Sequence, residues 1–211
     1  VGQTITYPNG QVFTSSAFTP SQMNVIMQAL TIGLLGLPQP NGPGSASYEA
    51  VRVSWQQQGQ PFQNANDDVC YLLCVTRDDE YSRVRDAYIS GRGTDASPLL
   101  ENWSYTRAWT VTWHFYGPNS LDRARAVRSA MFLDYANNAL SLSDLYVVNN
   151  PREITRLPQE INGQWFEYAE FEVELYEQVT ETVTDGAVTS VEIKVYEGTN
   201  TGPTADFTVS S

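Results

Sequence analysis

The chain has 211 residues, 41% of them hydrophobic, 12% aromatic and 17% charged, with a net charge of −12. That length and apolar content suffice for one domain with a substantial core and exclude a disordered acidic chain. A chain this acidic repels phosphate, which argues against DNA, RNA or an anionic membrane as its ligand.

Residues 1–18 are polar, with Gly2, Pro8 and Gly10, and are predicted as an extended arm. Thr19-Pro20 opens a helix, Thr as cap and Pro in the first turn. Met23, Ile26, Met27, Leu30 and Leu34 form its apolar stripe, and Gly36 and Pro38 end it. Pro38 to Ser47 reads as a loop. Glu49 to Trp55 alternates with Val51, Val53 and Trp55 on one side and is predicted as a strand. Gln56 to Asn66 is a polar loop containing Gly59-Gln60-Pro61-Phe62. Val69 to Thr76 is a more fully buried strand, and Asp78-Asp79 forms a turn. Tyr81 to Ile89 fits either a returning strand or a short helix. Gly91 to Pro98 is a loop.

The strongest local signal follows. From Trp103 to Tyr116, the residues Trp103, Tyr105, Trp109, Val111, Trp113 and Phe115 fall on one side, the period of a half-buried strand. Gly117 and Pro118 stop that strand. Asn119 or Ser120 then caps a helix running to about Tyr135. Leu145 to Val148 and Arg152 to Leu157 are predicted as short strands, and Trp165 to Val179 as a long one. Asp185-Gly186 is a hairpin signal with Val188 to Tyr196 returning. Gly198 to Ser211 is a polar tail with little to pack. The expected fold is α+β, a mainly antiparallel sheet flanked by two or three helices. One domain is expected over residues 1–198, with residues 199–211 as a flexible tail.

Charge is unevenly spread. Residues 1–159 carry 13 acidic and 11 basic side chains, whereas residues 160–211 carry 11 acidic groups and a single base, Lys194. Eleven of the 12 basic residues are arginine, a residue suited to interfaces and buried ion pairs. Codon bias accounts for that preference equally well. Cys70 and Cys74 lie four residues apart on one predicted strand, roughly 13 Å, beyond the ~4.4–6.8 Å that a disulfide requires. They read as buried free thiols of a reducing compartment. No secretory signal or membrane-length apolar run is visible, and an initiator methionine is expected to have been removed before Val1.

Candidate chemistry is sparse. Glu170, Glu172 and Glu174 line one side of the last long strand, with Tyr168 and Tyr176. Trp165, Ala169, Phe171, Val173 and Leu175 take the other side. The bland reading of the three carboxylates is a solvated outer face. The functional one is a wall that repels a passing polyanion. Glycoside hydrolysis needs two carboxylates in contrasting environments, which three glutamates on one open strand do not supply. Core packing explains Trp109 and Trp113 better than a glycan-binding face does. Asp67-Asp68 and Asp78-Asp79-Glu80 lack the alternating ligands and central glycine of a calcium loop, so turn chemistry is their default. His114, the only histidine, stands in no nucleophile motif and reads as structural. On the predicted helix, Asp122, Arg125 and Arg128 share a face opposite Leu121, Ala124, Val127 and Met131. That charged face reads as i,i+3 ion pairs or as a contact with a neighbouring subunit.

An ordered set of segments resembles the neck or tail terminator proteins of tailed bacteriophages. The set runs Val51-Arg52-Val53-Ser54-Trp55, Gly59-Gln60-Pro61, Asp67-Asp68-Val69-Cys70 and Asp79-Glu80-Tyr81. It continues with Tyr105-Thr106-Arg107-Ala108-Trp109, then Tyr116-Gly117-Pro118-Asn119-Ser120 followed by Ala124 and Arg128. Gly163-Gln164-Trp165-Phe166-Glu167 and Val179-Thr180-Glu181-Thr182 complete it. The resemblance covers about residues 20–195. It implies a non-enzymatic virion protein, without cofactors or bound metal, assembled in the host cytoplasm and located in the neck. Its copies would close into a ring, usually of six, that ends the tail tube and docks the head connector or stopper. In contractile tails the ring also meets the sheath. On this reading DNA passes through without specific binding, Glu170, Glu172 and Glu174 line the channel, and Arg107, Arg125 and Arg128 serve subunit interfaces. The alternatives are another tail part (tube, stopper or baseplate) and, more remotely, a glycan-binding module or glycosidase.

Overall fold

The computed structural model describes residues 2–8, 10–38, 45–54, 64–92, 98–148, 151–161 and 163–184 in full, and residues 190–196 and 203–210 as backbone. Trp55, the loop Gly59-Gln60-Pro61-Phe62 and the hairpin signal Asp185-Gly186 fall outside the described residues. In chain order the elements are β1 (Gln3–Thr6), β2 (Val12–Ser15), α1 (Pro20–Leu34), α2 (Ala46–Ala50), β3 (Val51–Val53) and β4 (Val69–Arg77). A 3-10 turn at Glu80–Arg83 leads to β5 (Asp86–Ser90), β6 (Leu100–Tyr116), α3 (Ser120–Ala130) and α4 (Asp134–Ser141). Then come β7 (Leu145–Val147), β8 (Thr155–Arg156), β9 (Gln159–Ile161), β10 (Gln164–Phe166), β11 (Tyr168–Thr184), β12 (Ser190–Tyr196) and β13 (Pro203–Ser210). The class is α+β with a mostly antiparallel sheet, as expected.

The chain divides into two compact units. The larger comprises residues 18–84 and 105–179, the smaller residues 1–17, 85–104 and 180–211, and β6 and β11 lend residues to both. In the larger unit the strands run in the order β11-β6-β4-β3, with β7 and β8 paired along β11. β7 and β8 on β11 and β4 on β6 are antiparallel, and β3 on β4 is parallel. One face of this sheet is the core. Trp109, Val111, Trp113 and Phe115 of β6 and Phe171, Val173 and Leu175 of β11 are buried with Met23, Met27, Ala124, Val127, Met131 and Leu140 of the helices. Trp113 stacks on Phe171 with centroids 4.9 Å apart, a contact type worth about 0.5–1.5 kcal/mol beyond its buried area. The Trp113 indole N–H donates to Thr31 Oγ1 at 2.9 Å, so α1 presents a buried acceptor where the sheet presents a donor.

Local chemistry explains both main helix starts. Thr19 and Gln22 form a reciprocal capping box and Pro20 stands in the first turn. At the second start, β6 ends at Tyr116 and Gly117 adopts φ +106°, a conformation that L side chains rarely take. A Cβ there would lie 2.5 Å from the Asp67 carbonyl oxygen and 2.6 Å from Asp68 Oδ1. Asn119 occupies the cap position, but its side chain does not cap α3. Instead its backbone N–H and Nδ2 donate to the Asp68 carboxylate at 2.9 and 2.8 Å, and Arg123 approaches that carboxylate at 3.6 Å. Asp68 thus clamps the strand-to-helix turn from outside.

The smaller unit holds β1 on β2, β2 on the end of β11, and β5 on the start of β6, all antiparallel. β12 and β13 form their own antiparallel pair. The N-terminal segment expected as an arm is therefore a hairpin. Residues 203–210, expected in a flexible tail, are the backbone of strand β13.

Other expectations change for physical reasons. Glu49 and Ala50 end α2 rather than beginning a strand. The helix predicted to Tyr135 breaks after Ala130, because Met131 and the next buried residue, Ala136, lie five apart; a continuous helix would swing Ala136 off the core. Residues 81–89 hold a 3-10 turn and then β5, which pairs with β6 rather than returning on β4. The strand over 152–157 shrinks to Thr155–Arg156. Trp165 belongs to β10 and is 64% exposed, while its neighbour Phe166 is buried. In the smaller unit Asn102 faces inward and Trp103 outward, opposite to the expected phase. The Asn102 amide donates to Ser90 Oγ and accepts from Thr182 Oγ1, both at 2.9 Å, so the inward position is polar. The cysteines behave as expected: both thiols are free and buried, and burial pushes Cys74 up to about 12.

Gly117→Ala is expected to destabilise the protein by about 1–3 kcal/mol, from left-handed strain and the clash with Asp67. Urea unfolding followed by tryptophan fluorescence measures it; an unchanged midpoint would show that the turn accepts a side chain.

Candidate functional site

The site is the outer face of β11 and β6 in the larger unit. Along β11, Ala169, Phe171, Val173, Leu175 and Val179 are buried, so Tyr168, Glu170, Glu172, Glu174 and Tyr176 point outward. The three predicted glutamates do share one face. They are not bare. Glu172 pairs with Arg152 at 2.6 Å and Glu174 pairs with Arg77 of β4. Side-chain exposure falls accordingly, to 28% for Glu172 and 27% for Glu174 against 36% for Glu170. The backbone N–H groups of Val148 and Arg152 bind the carbonyls of Glu174 and Glu172 at 2.9 and 3.1 Å, which holds the preceding loop along the strand.

Glu170 has different company. Its carboxylate accepts from the Tyr168 hydroxyl, and His114 Nδ1 lies 2.7 Å from that hydroxyl and 3.3 Å from Glu170 Oε2. With the tyrosine proton directed at the carboxylate, Nδ1 must be the donor to the tyrosine oxygen, which assigns the Nδ1–H tautomer. Burial holds His114 below its ordinary range, against the opposing pull of Glu170. Burial, then the hydrogen bond and charge of Glu170, push Tyr168 well up. Both shifts favour the neutral imidazole of His114 and the neutral hydroxyl of Tyr168. Tyr116 packs on them, 5.0 Å from Tyr168 between ring centroids, and burial raises its hydroxyl too. Beside this cluster is an open cavity of about 190 Å³ lined by Thr112, Arg152, Glu153, Thr155, Glu170 and Glu172.

A fourth glutamate on β11 points inward and was not singled out by sequence. Glu177 is 1% exposed. Its Oε1 accepts from the Phe18 backbone N–H at 2.7 Å. Its Oε2 accepts from Arg107 Nε at 2.8 Å, Arg107 Nη2 at 2.6 Å and Trp109 Nε1 at 2.6 Å. Arg107 also donates to the Phe18 carbonyl at 2.6 Å. The one available signal was phase: Glu177 continues the inward series that includes Leu175 and Val179.

The arginines expected at interfaces are placed as follows. Arg107 is engaged inside the larger unit with Glu177. Arg128 donates to the carbonyls of Arg152 and Pro151 at 2.9 and 3.3 Å and to Glu153 at 2.7 Å, bracing the segment before β8. Arg125 is 64% exposed and meets only Asp122, at 3.6 Å, among the ion pairs of the described residues. Asp67 accepts from Asn64 and Asp79 caps the 3-10 turn, both turn roles. Among the described residues no group of three or more His, Cys, Asp or Glu is placed to hold a metal ion. No helix there is long and apolar enough to cross a membrane. Chemically this face offers a rigid, hydrogen-bonded surface in which two of three carboxylates are matched by guanidinium groups.

A family model described as phage neck terminator protein matches residues 21–203. No curated protein matches the chain.

Two outcomes test the electrostatics. Glu177→Ala leaves Arg107 and Trp109 with buried, unmatched donors and is expected to cost about 3–5 kcal/mol. Glu174→Ala, on the exposed pair, is expected to cost about 1 kcal/mol or less. Chemical unfolding of both variants checks the contrast; equal losses would contradict it. Because His114 is held below its unfolded value of 6.5, protonation favours the unfolded chain. Stability from this group is complete above that value and falls as pH drops through the folded value. His114→Gln is therefore expected to flatten the acid side of the stability profile, measured as urea midpoints between pH 8 and 5.

Proposed function

The chain belongs to the phage neck terminator protein family, and we propose that it works as a ring of identical subunits, six in number, that ends the tail tube and joins it to the head. Its general role is structural, in the neck of the phage particle, alongside other head and tail proteins. The observation that carries the proposal is the family match, which spans both compact units.

In the proposed ring the tube protein contacts one side and the head connector or stopper the other, with the sheath added in a contractile tail. DNA passes through the centre. The net charge of −12 supports a passage to which a polyanion does not adhere. We assign Glu170, Glu172 and Glu174 to that passage. With Arg77 and Arg152 paired to two of them, the stripe acts as a fixed, weakly acidic wall rather than a bare row of charge. Of the three arginines, Arg125, exposed on α3, is the one that reaches a neighbour in this reading, whereas Arg107 and Arg128 shape the subunit itself.

Phage assembled without this chain are expected to yield headless tails of uncontrolled length beside filled heads. Restoring the chain should restore joined particles, with immunogold label at the head–tail junction. Electron microscopy of the two lysates checks this; normal, joined particles in the absence of the chain would overturn the proposal.

A further inference from the structure

The smaller unit contains a sheet with two open ends. Its order is β1-β2-β11-β6-β5, linked between β11 and β6 by the 2.9 Å hydrogen bond from Thr182 to Asn102. Among the described residues, β1 pairs with β2 alone and β5 with β6 alone. One end strand is QTIT and the other DAYIS. All four residues of β1 are exposed, as are the first four of β5.

An open strand edge is a template for pairing, and proteins that must stay single blunt it with lysine, proline, a bulge or a cover. Neither strand contains lysine, arginine, glutamate or proline; the only charge is Asp86 at the start of β5. Both instead carry residues that pack well on a sheet. Thr4, Ile5 and Thr6 lie on β1, and on β5 Tyr88 is 56% and Ile89 73% exposed, on opposite sides of the strand. Apolar side chains on both sides of an uncovered edge strand are a poor arrangement for a lone subunit and a good one for a strand inside a longer sheet.

We infer that β1 of one subunit pairs with β5 of the next, extending the sheet from copy to copy. The occupant is a second copy because the two open ends belong to the same sheet, differ from each other and match in length, four residues against five. Such an end-to-end contact is heterologous and closes into a ring when the rotation permits. Subunits carrying −12 each repel one another, and a seam of backbone hydrogen bonds between nearly uncharged strands joins them without adding charge. This inference rests on the ring reading above and names its seam.

The orientation of β1 selects the test. The Tyr7 N–H donates to the Gln11 carbonyl at 2.8 Å, in continuation of the β1–β2 register. The N–H groups of Gln3 and Ile5 therefore also point toward β2, and those of Thr4 and Thr6 point out of the open edge. The variant Thr4→Pro/Thr6→Pro removes the two outward donors and leaves the inward ladder. Ile89→Lys blunts the other edge.

Sedimentation velocity on the full chain, alone and with purified tail tubes, reads the result. Wild type is expected to form closed oligomers. Each variant is expected to need at least about tenfold more protein to assemble, with an unchanged circular dichroism spectrum. A mixture of the two variants is expected to stop at mixed dimers, because each retains one working edge. Wild-type rings together with undiminished assembly of both variants would overturn the seam and leave the ring reading standing. Should the proline variant fail to fold, full assembly by Ile89→Lys alone would overturn the seam. Monomeric wild type under every condition, tubes included, would overturn the ring reading and the seam with it.

Discussion

A buried carboxylate organises the larger unit. Glu177 is removed from water, and an ionised group in that position costs several kcal/mol unless its lone pairs are met. Four donors meet them: one from the segment entering α1, two from the Arg107 guanidinium and one from the Trp109 indole. These donors come from two separate stretches of chain, so the carboxylate, itself on β11, ties the start of α1 to β6 and β11 at one point. It also fixes the phase of β11. With Glu177 inward among Phe171, Val173, Leu175 and Val179, the even-numbered glutamates have only the outer face available.

The same constraint explains which parts of the molecule are legible in the sequence. Elements governed by neighbours a few residues away are readable, such as the Thr19–Gln22 capping box and the turn at Gly117. So are the alternations along β6 and β11, whereas β4, expected to be more fully buried, leaves Val75 49% exposed. The partners of those elements are not. Arg107 and Glu177 are 70 residues apart, Arg77 and Glu174 97 apart, and Asn119 and Asp68 51 apart. Tyr116-Gly117-Pro118-Asn119-Ser120 announces a strand passing into a helix, but the residue that holds the turn shut, Asp68, looks from sequence like half of an ordinary acidic turn. The outer glutamates are legible as a row, whereas the arginines that pair with two of them are not. At Asn102 and Trp103 the usual inference from aromatic to buried fails because a saturated amide hydrogen-bond set takes the inward position.

The arginines complete the argument. An excess of arginine over lysine suggests guanidinium forks held ready for other molecules. Ten of the eleven arginines instead pair with a carboxylate inside their own unit. Most of those pairs are exposed and individually weak, and their shared effect is to fix loops and strand faces in one arrangement. The chain's remaining charge is then almost wholly acidic and largely unmatched. For a subunit proposed to meet identical copies, this leaves attraction between opposite charges a minor contributor and makes repulsion the quantity to be offset. The contacts best suited to that are backbone hydrogen bonds and uncharged side chains, which β1 and β5 present and the arginine-bearing surfaces do not. A seam of that kind has a further consequence. Its strength depends little on salt, while the repulsion proposed between the acidic faces and DNA weakens as salt rises. Assembly of the proposed ring and passage of DNA through it would thus respond differently to ionic strength, because one rests on the backbone and the other on side-chain charge.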